Sequence, residues 1–119
     1  RALQKPSLAL HANALAAALQ KIGQATKAAW ASGHPKQALA NAVPYMQAFG
    51  HVVLAWIWLD VSLASMSRSQ DAIESVAFHA GLAGARDYFY HYELPKIDAW
   101  LGVVSRRDMT CADLLEDAF

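Results

Sequence analysis

Apolar residues recur at intervals of three and four along most of the chain, which is the spacing of one face of an α-helix. In the first such segment, residues 8–32, Leu8, Leu15 and Ile22 share this spacing within a background rich in alanine, leucine, glutamine and lysine. These residue types are strong helix formers, so the pattern predicts a long amphipathic helix. Gly33 is expected to end it in a left-handed conformation, and Pro35 to open the next helix.

The second segment, residues 35–68, shows the same spacing but contains Pro44. A proline inside a helix removes one backbone hydrogen bond and clashes with the preceding turn. We predict a kink at Pro44; the alternative is a new helix capped by Asn41, with Pro44 in its first turn. Residues 52–59 are apolar on every side and include Trp56 and Trp58, so this helix is expected to be central or to face a partner.

A third long helix is predicted from Ser69 or Asp71 to about residue 105, with Pro95 inside it. Residues 77–85 are mostly alanine and glycine, which predicts a tight crossing with the first or second helix. Thr110 and Asp113 resemble a capping box that opens a short last helix through residue 119. The predicted fold is therefore all-α, an up-and-down bundle of three long helices and one short C-terminal helix, in a single domain over residues 1–119.

Composition adds an expectation about partners. Hydrophobic residues make up 55% of the chain and charged residues 17%, so we expect some apolar surface to be covered by another domain or by a second copy. Ten basic and ten acidic residues balance, which argues against nucleic acid and anionic membranes as partners. The uninterrupted apolar run of residues 52–59 is too short to span a membrane.

Two further features bear on the origin of the chain. The single cysteine, Cys111, excludes an internal disulfide and is typical of a reducing compartment, so a cytoplasmic location is expected. The chain begins at Arg1 without an initiator methionine, and we expect it to be part of a longer protein.

No pattern in the sequence predicts a catalytic or metal site. The five histidines never lie three or four residues apart, and Cys111 has no nucleophile signature around it. Gly81 and Gly84 lie inside a helical pattern rather than in a phosphate-binding loop, and the aromatic residues of 88–92 are interpreted as packing. Two charged pairs, Asp60 with Arg86 and Asp87 with His91, are candidate structural contacts.

The most specific residues are the run Ala-Leu-Ala-Asn-Ala-Val-Pro-Tyr-Met-Gln-Ala-Phe-Gly at 38–50, Phe78, the run Ala-Gly-Ala-Arg-Asp-Tyr-Phe at 83–89, and Glu-Leu-Pro at 93–95. Together they resemble the C-terminal domain that follows the catalytic core in a long subclass of acyl-CoA dehydrogenases. The resemblance covers residues 38–101, with a weaker similarity in residues 114–119.

This resemblance implies a parent protein whose upstream core binds FAD and oxidises acyl-CoA to 2-enoyl-CoA in fatty acid metabolism. A glutamate of that core removes the α proton while the flavin accepts a hydride from the β carbon. Because none of these parts lies in this sequence, we assign no catalytic, cofactor-binding or metal residue to it. The expected partners are the dehydrogenase core of the same chain or of a sister subunit, in a homo-oligomer. The residues expected to serve packing are Pro44, Tyr45, Gly50, Trp56, Arg86, Phe89 and Pro95.

Two alternatives remain open from the sequence. One is a free-standing helical module for interaction or dimerisation, without catalytic activity. The other is a bundle that binds a small molecule in a pocket lined by the tryptophans, Trp30, Trp56, Trp58 and Trp100.

Overall fold

A computed structural model describes residues 2–67 and 73–114. It confirms the predicted all-α class: these residues form helices and turns, and no strand occurs among them. Two short 3₁₀ turns lead into five α-helices, with a π-helical turn and another 3₁₀ turn before the last. The elements are Ala2–Gln4, Pro6–Leu8, α1 (Ala9–Ala29), α2 (Pro35–Leu39), α3 (Ala42–Ser67), α4 (Ile73–Tyr88), the π-turn Phe89–Glu93, the 3₁₀ turn Leu94–Lys96 and α5 (Ile97–Ser105).

The hydrophobic core lies among α1, α3 and α5, each of which contacts the other two. Leu8 and Ile97 are the largest side chains that are completely buried. Small residues, including Ala18, Ala48 and Ala55, are buried between the helices and let the backbones approach closely. The molecule is flat and elongated, with extents of 62 × 31 × 16 Å. A thickness of 16 Å accommodates about two layers of helices. Much of α3 is therefore exposed at the surface.

The connection after α1 agrees with its predicted geometry. Gly33 has a φ of +73°, in the left-handed region that glycine adopts without steric cost. Its N–H donates to the carbonyl of Trp30 at 2.9 Å, which closes the turn. The helix itself ends at Ala29, three residues before the predicted end.

The predicted kink at Pro44 is wrong. Helix α2 ends at Leu39 and α3 begins at Ala42, so Pro44 lies in the first turn of a new helix, as in the alternative. At that position proline sacrifices no internal hydrogen bond. The side-chain amide of Asn41 donates to the carbonyls of Val103 at 3.2 Å and Asp108 at 2.8 Å, and this long-range anchor fixes the break between the helices.

Pro95 also divides a helix that was predicted to be continuous. Helix α4 ends at Tyr88, and the N–H of Leu94 donates to the carbonyl of Phe89, which is the spacing of a π-turn. The wider turn and the 3₁₀ turn that follows accommodate Pro95, because proline has no N–H and its ring would clash with a regular preceding turn. The predicted starts at Ser69 and Asp71 lie outside the described residues.

The predicted tight crossing at the small residues of α4 is wrong. Gly81 and Gly84 are exposed, and a Cβ atom built on either would meet nothing within 4 Å. Helix α4 contacts α3 on its other side, where Ser65 hydrogen-bonds His79. The close helix approaches are made instead by the buried alanines of α1 and α3.

The chain that follows α5 does not form the predicted capping box. Arg107 has a φ of +52°, and the N–H groups of Arg107 and Asp108 donate to Val104 and Val103, both at 3.1 Å. This is a Schellman motif with arginine at the left-handed position. Residues 110–113 form a turn rather than the start of a helix, and residues 115–119 lie outside the described part of the chain.

Among the described residues, one helical stretch, Ala42–Met66, is long and apolar enough to cross a membrane by length and composition. A single stretch of this kind is weak evidence, since core helices of soluble proteins have the same character. The uninterrupted apolar run of residues 52–59 is only part of this stretch. The residues that flank the run are mostly uncharged but not all apolar, so the run alone does not show the full length of the stretch. The absence of a membrane span therefore stays a prediction.

Candidate interaction surface

An apolar groove runs between α1 and α3. Its central part is about 290 Å³ in volume, and α1 and α3 alone supply its lining. Every lining residue is apolar: Leu15, Leu19, Ile22, Phe49, Val52, Val53 and Trp56. Leu15, Ile22 and Val52 are buried, whereas Leu19 and Trp56 are 55% and 59% exposed. The groove thus has a packed floor and an uncovered apolar rim.

Toward the N-terminus the same groove widens to a hollow of about 440 Å³. Leu15, Leu19 and Trp56 belong to both parts, and the 3₁₀ residues Ala2 and Leu3 close the end. Asp60 is the one charged residue in its lining. The apolar surface is therefore continuous from the start of the chain to the middle of α3.

A third hollow, of about 300 Å³, lies at the other end of the helix pair between Trp30, Leu39 and Met46. Tyr45 and Thr26 form part of its lining, and their hydroxyl oxygens lie 2.9 Å apart. Thr26 donates its one hydroxyl hydrogen to the carbonyl of Ile22 at 2.8 Å, so Tyr45 is the donor to Thr26. These polar atoms are satisfied within the chain, which leaves this hollow apolar in character.

A polar cluster joins α1 to α4 away from the groove. His11 Nε2 and Arg86 Nε lie 2.8 Å and 3.0 Å from the same oxygen of Asp87, and Arg86 also reaches Ser62 at 3.5 Å. Burial acts to raise the pKa of Asp87, but the hydrogen bonds and charges of Arg86 and His11 outweigh it and lower this pKa. Asp87 is thus held as a carboxylate.

The predicted pairs Asp60 with Arg86 and Asp87 with His91 are wrong. Among the described residues, the ion-pair partners of Asp87 are His11 and Arg86, and Arg86 is bonded to Asp87. Asp60 is exposed at the rim of the groove instead. His11 lies 76 positions before Asp87, a pairing that local helical spacing cannot reveal.

A second cluster ties α3 to the π-turn. Lys96 and His51 bond the two oxygens of Glu93 at 2.8 Å and 3.2 Å. The hydrogen bond from Lys96, followed by that of His51, lowers the pKa of Glu93. The His51 ring also packs edge-on against Trp100, with ring centroids 4.8 Å apart. The arrangement fixes the junction of α3, the π-turn and α5.

Neither polar cluster contains the set of side chains that a metal site needs. Within residues 2–67 and 73–114, no group of three His, Cys, Asp or Glu side chains could hold a metal ion. Cys111 is exposed. The charged side chains of both clusters form ion pairs instead, and the pairs made by His11 and His51 join separate helical elements.

Three of the residues predicted to serve packing lie at the start of α3. Pro44 and Tyr45 are half-buried, and the Tyr45 ring stacks on Phe49 with centroids 6.3 Å apart. Gly50 is exposed, and a Cβ built on it would meet nothing within 4 Å. Trp56 lies at the groove rim, so any tight packing of Gly50 or Trp56 would involve a surface outside this chain.

The other three lie at the α4 to α5 junction. Arg86 is half-buried in the polar cluster, and Phe89 is buried with its ring 5.5 Å from that of His51. Pro95 is exposed in the 3₁₀ turn. Their roles in packing against a partner stay predictions.

Sequence reasoning missed the α1 side of the groove. Leu19 shares the helical spacing of the buried residues Leu15 and Ile22, yet it is 55% exposed. The sequence suggested Asn41 only as a helix cap, and the contacts by which Asn41 and Arg107 join the helix ends were missed because each side chain bonds carbonyls more than 60 positions away. No local spacing signals such contacts.

The fold and this surface define the class of the protein. It is an all-helical domain with apolar surface that its own core leaves exposed. A family model described as acetyl-CoA dehydrogenase C-terminal like matches residues 1–115. The chain belongs to this family, which confirms the resemblance seen in residues 38–101. A search of curated proteins found no match, and neither did a search of solved structures.

Proposed function

We propose that this chain is the C-terminal accessory domain of an FAD-dependent acyl-CoA dehydrogenase and packs through the α1/α3 groove against the catalytic core. The observation that carries the proposal is the continuous apolar groove, in a chain that belongs to the acetyl-CoA dehydrogenase C-terminal like family. The core of the same chain or of a sister subunit would cover it.

The energetics of the groove support an occupant. Trp56 and Leu19 are each more than half exposed to water. Burying a fully exposed large apolar side chain contributes roughly 1.5–3 kcal/mol, so covering the exposed half of each of these two residues contributes roughly half of that figure per residue. Tryptophan is enriched among the residues that dominate binding energy when a partner excludes water around them, so Trp56 is the stronger candidate of the two.

The lining of the central groove does not fit FAD. Its pyrophosphate needs backbone N–H groups, hydroxyls or basic side chains in a cradle, and the central groove is lined by seven apolar side chains. In this proposal the flavin belongs to the upstream core, and the parent oxidises acyl-CoA to 2-enoyl-CoA there.

Glu93 also lacks the character of a catalytic base. A carboxylate that removes a proton at neutral pH needs a raised pKa, whereas the hydrogen bonds from Lys96 and His51 lower the pKa of Glu93. The proposal therefore assigns this chain a packing role. A homo-oligomeric parent and a cytoplasmic location remain predictions.

The coding region tests the parentage directly. An in-frame dehydrogenase core upstream of Arg1 supports the proposal, and an initiator codon immediately before Arg1 contradicts it in favour of a free-standing module. Flavin absorbance and acyl-CoA oxidation with an artificial electron acceptor provide a second test on the purified 119-residue chain. We expect neither signal. Flavin bound to this chain at full occupancy would refute the assignment of the flavin to the upstream core.

The groove itself is tested in the parent protein with Trp56→Ser. Because Trp56 is 59% exposed, this variant should keep the isolated chain folded, with a loss of stability of no more than about 2 kcal/mol. In the parent it should loosen the domain and speed proteolysis at the domain boundary. Leu10→Ser is the control, since Leu10 is 82% exposed and outside the groove lining. Equal proteolysis of the two variants would exclude the groove as the contact.

A further inference from the structure

A second apolar surface lies on α3, on the side away from the core. Val43, Leu54, Ile57 and Val61 are exposed by 70%, 45%, 43% and 36%. Gln47 and Gly50 are exposed between them. We call these six residues the outer seam; none of them lines the central groove or its N-terminal extension.

The spacing of the outer seam is that of a coiled coil. Its residues follow one another at intervals of four, three, four, three and four, so they form one stripe along α3. The stripe rises about 27 Å along the helix, at roughly 1.5 Å per residue. A stripe of this spacing packs best against another helix that carries the same repeat.

This order of intervals is the same when read in reverse. An antiparallel copy of α3 therefore places every seam residue opposite another seam residue. Val43 meets Val61 of the second copy, Gln47 meets Ile57, and Gly50 meets Leu54, each pair occurring twice. Such self-complementarity is what an interface about a two-fold axis requires.

Gly50 has no role within the chain that explains it. A glycine inside a helix is destabilising relative to alanine, and a Cβ at this position would meet nothing within 4 Å. In the antiparallel pair, the empty position receives the Leu54 side chain of the second copy. A small residue opposite a large one allows the two helices to interlock.

Electrostatics permit the same pairing. Asp60 is the one charged residue between residues 42 and 67. In the antiparallel register the two Asp60 residues lie about 24 Å apart along the helices, well beyond a Debye length of roughly 10 Å. The chain as a whole has a formal net charge of zero, so two copies do not repel.

We propose that two copies of this chain associate through their outer seams, with the α3 helices antiparallel about a two-fold axis near residue 52. This contact uses a different face of α3 from the groove, so it does not depend on the proposed packing against a dehydrogenase core. A seam one helix wide lies at the small end of stable interfaces, which bury roughly 800 Å² per partner. The dimer is therefore expected to dissociate on dilution.

Disulfide cross-linking tests the register. In a Cys111→Ser background, a mixture of Val43→Cys chains and Val61→Cys chains should form cross-linked dimers on oxidation. Each variant alone should not, because its two cysteines would lie about 27 Å apart, far beyond the roughly 7 Å Cα separation a disulfide tolerates. A parallel pair would give the reverse result and overturn the proposal.

Sedimentation velocity over a wide range of concentration tests the association itself. We expect Ile57→Asp to weaken self-association at least roughly tenfold, because it buries an unpaired carboxylate in the seam. Phe78→Asp is the matched control on α4, where Phe78 is 64% exposed. Circular dichroism checks that both variants keep their helices. A monomer at every concentration, or equal association of both variants, would refute the outer seam as a dimer contact.

Discussion

Arg107 donates a hydrogen bond of 2.6 Å from its guanidinium to the carbonyl oxygen of Ala28, and so joins the end of α5 to the end of α1. The same arginine occupies the left-handed position of the α5 C-terminal motif, with a φ of +52°. An L-residue with a side chain is strained there by roughly 1 kcal/mol. The contact across the two helix ends offsets that strain.

Substitutions can therefore separate the two roles of Arg107, which are the contact with Ala28 and the strained backbone conformation. Arg107→Ala loses the contact and keeps the strain, so it should lower the free energy of unfolding by roughly 2 kcal/mol. Arg107→Gly loses the same contact but relieves the strain, so it should be about 1 kcal/mol more stable than the alanine variant. Urea denaturation measures both values, and equal stability of the two variants would contradict the assignment of strain.

Tyr90 should make the fold sensitive to high pH. Its hydroxyl donates to the carbonyl of Ala55 at 2.7 Å, and burial raises the pKa of Tyr90 to about 12 from an ordinary value near 10. Because the folded state holds this proton more tightly than the unfolded state, the contribution to stability is complete below about pH 10 and is lost between about pH 10 and pH 12.

The Tyr90→Phe variant isolates this contribution. It should lose about 1 kcal/mol at neutral pH and show a weaker decline in stability above about pH 10 than the original chain. Urea denaturation at neutral and alkaline pH provides the measurement. An unchanged alkaline decline in the variant would show that other groups cause it.

Asp87 should act in the opposite direction, at low pH. Its pKa is lowered because the hydrogen bonds and charges of Arg86 and His11 outweigh the effect of burial. Stability from this carboxylate is therefore present above its ordinary pKa near 4 and is lost as the pH falls through the lowered value. Because its side chain is 43% exposed, we expect Asp87→Asn to cost less than about 1 kcal/mol at neutral pH. The variant should also lose less stability on acidification, and identical acid profiles would disprove the role of Asp87.

Gly81 and Gly84 should be replaceable with a gain in stability. Both lie in α4, and neither has an atom within 4 Å of the position where a Cβ would stand. Substitution by alanine should raise the free energy of unfolding by roughly 0.5–1 kcal/mol at each site, since alanine restricts the unfolded chain and favours the helix. A loss of stability in thermal unfolding would instead support the tight crossing that the small residues suggested.

The sequence determined the all-helical class, the left-handed turn at Gly33 and the family, because these depend on the chemistry of neighbouring residues. Helical spacing and the conformational freedom of glycine act within a few positions, so they can be recognised without a structure.

Tertiary structure decided the features that depend on distant partners. It placed the helix break at Asn41 rather than at Pro44, because carbonyls of Val103 and Asp108 hold the Asn41 side chain. It paired Asp87 with His11, and it left Leu19 and Trp56 uncovered at the edge of a groove. An apolar residue has the same helical spacing whether its face meets the core or a partner, so only the packing of α1, α3 and α5 could distinguish the two.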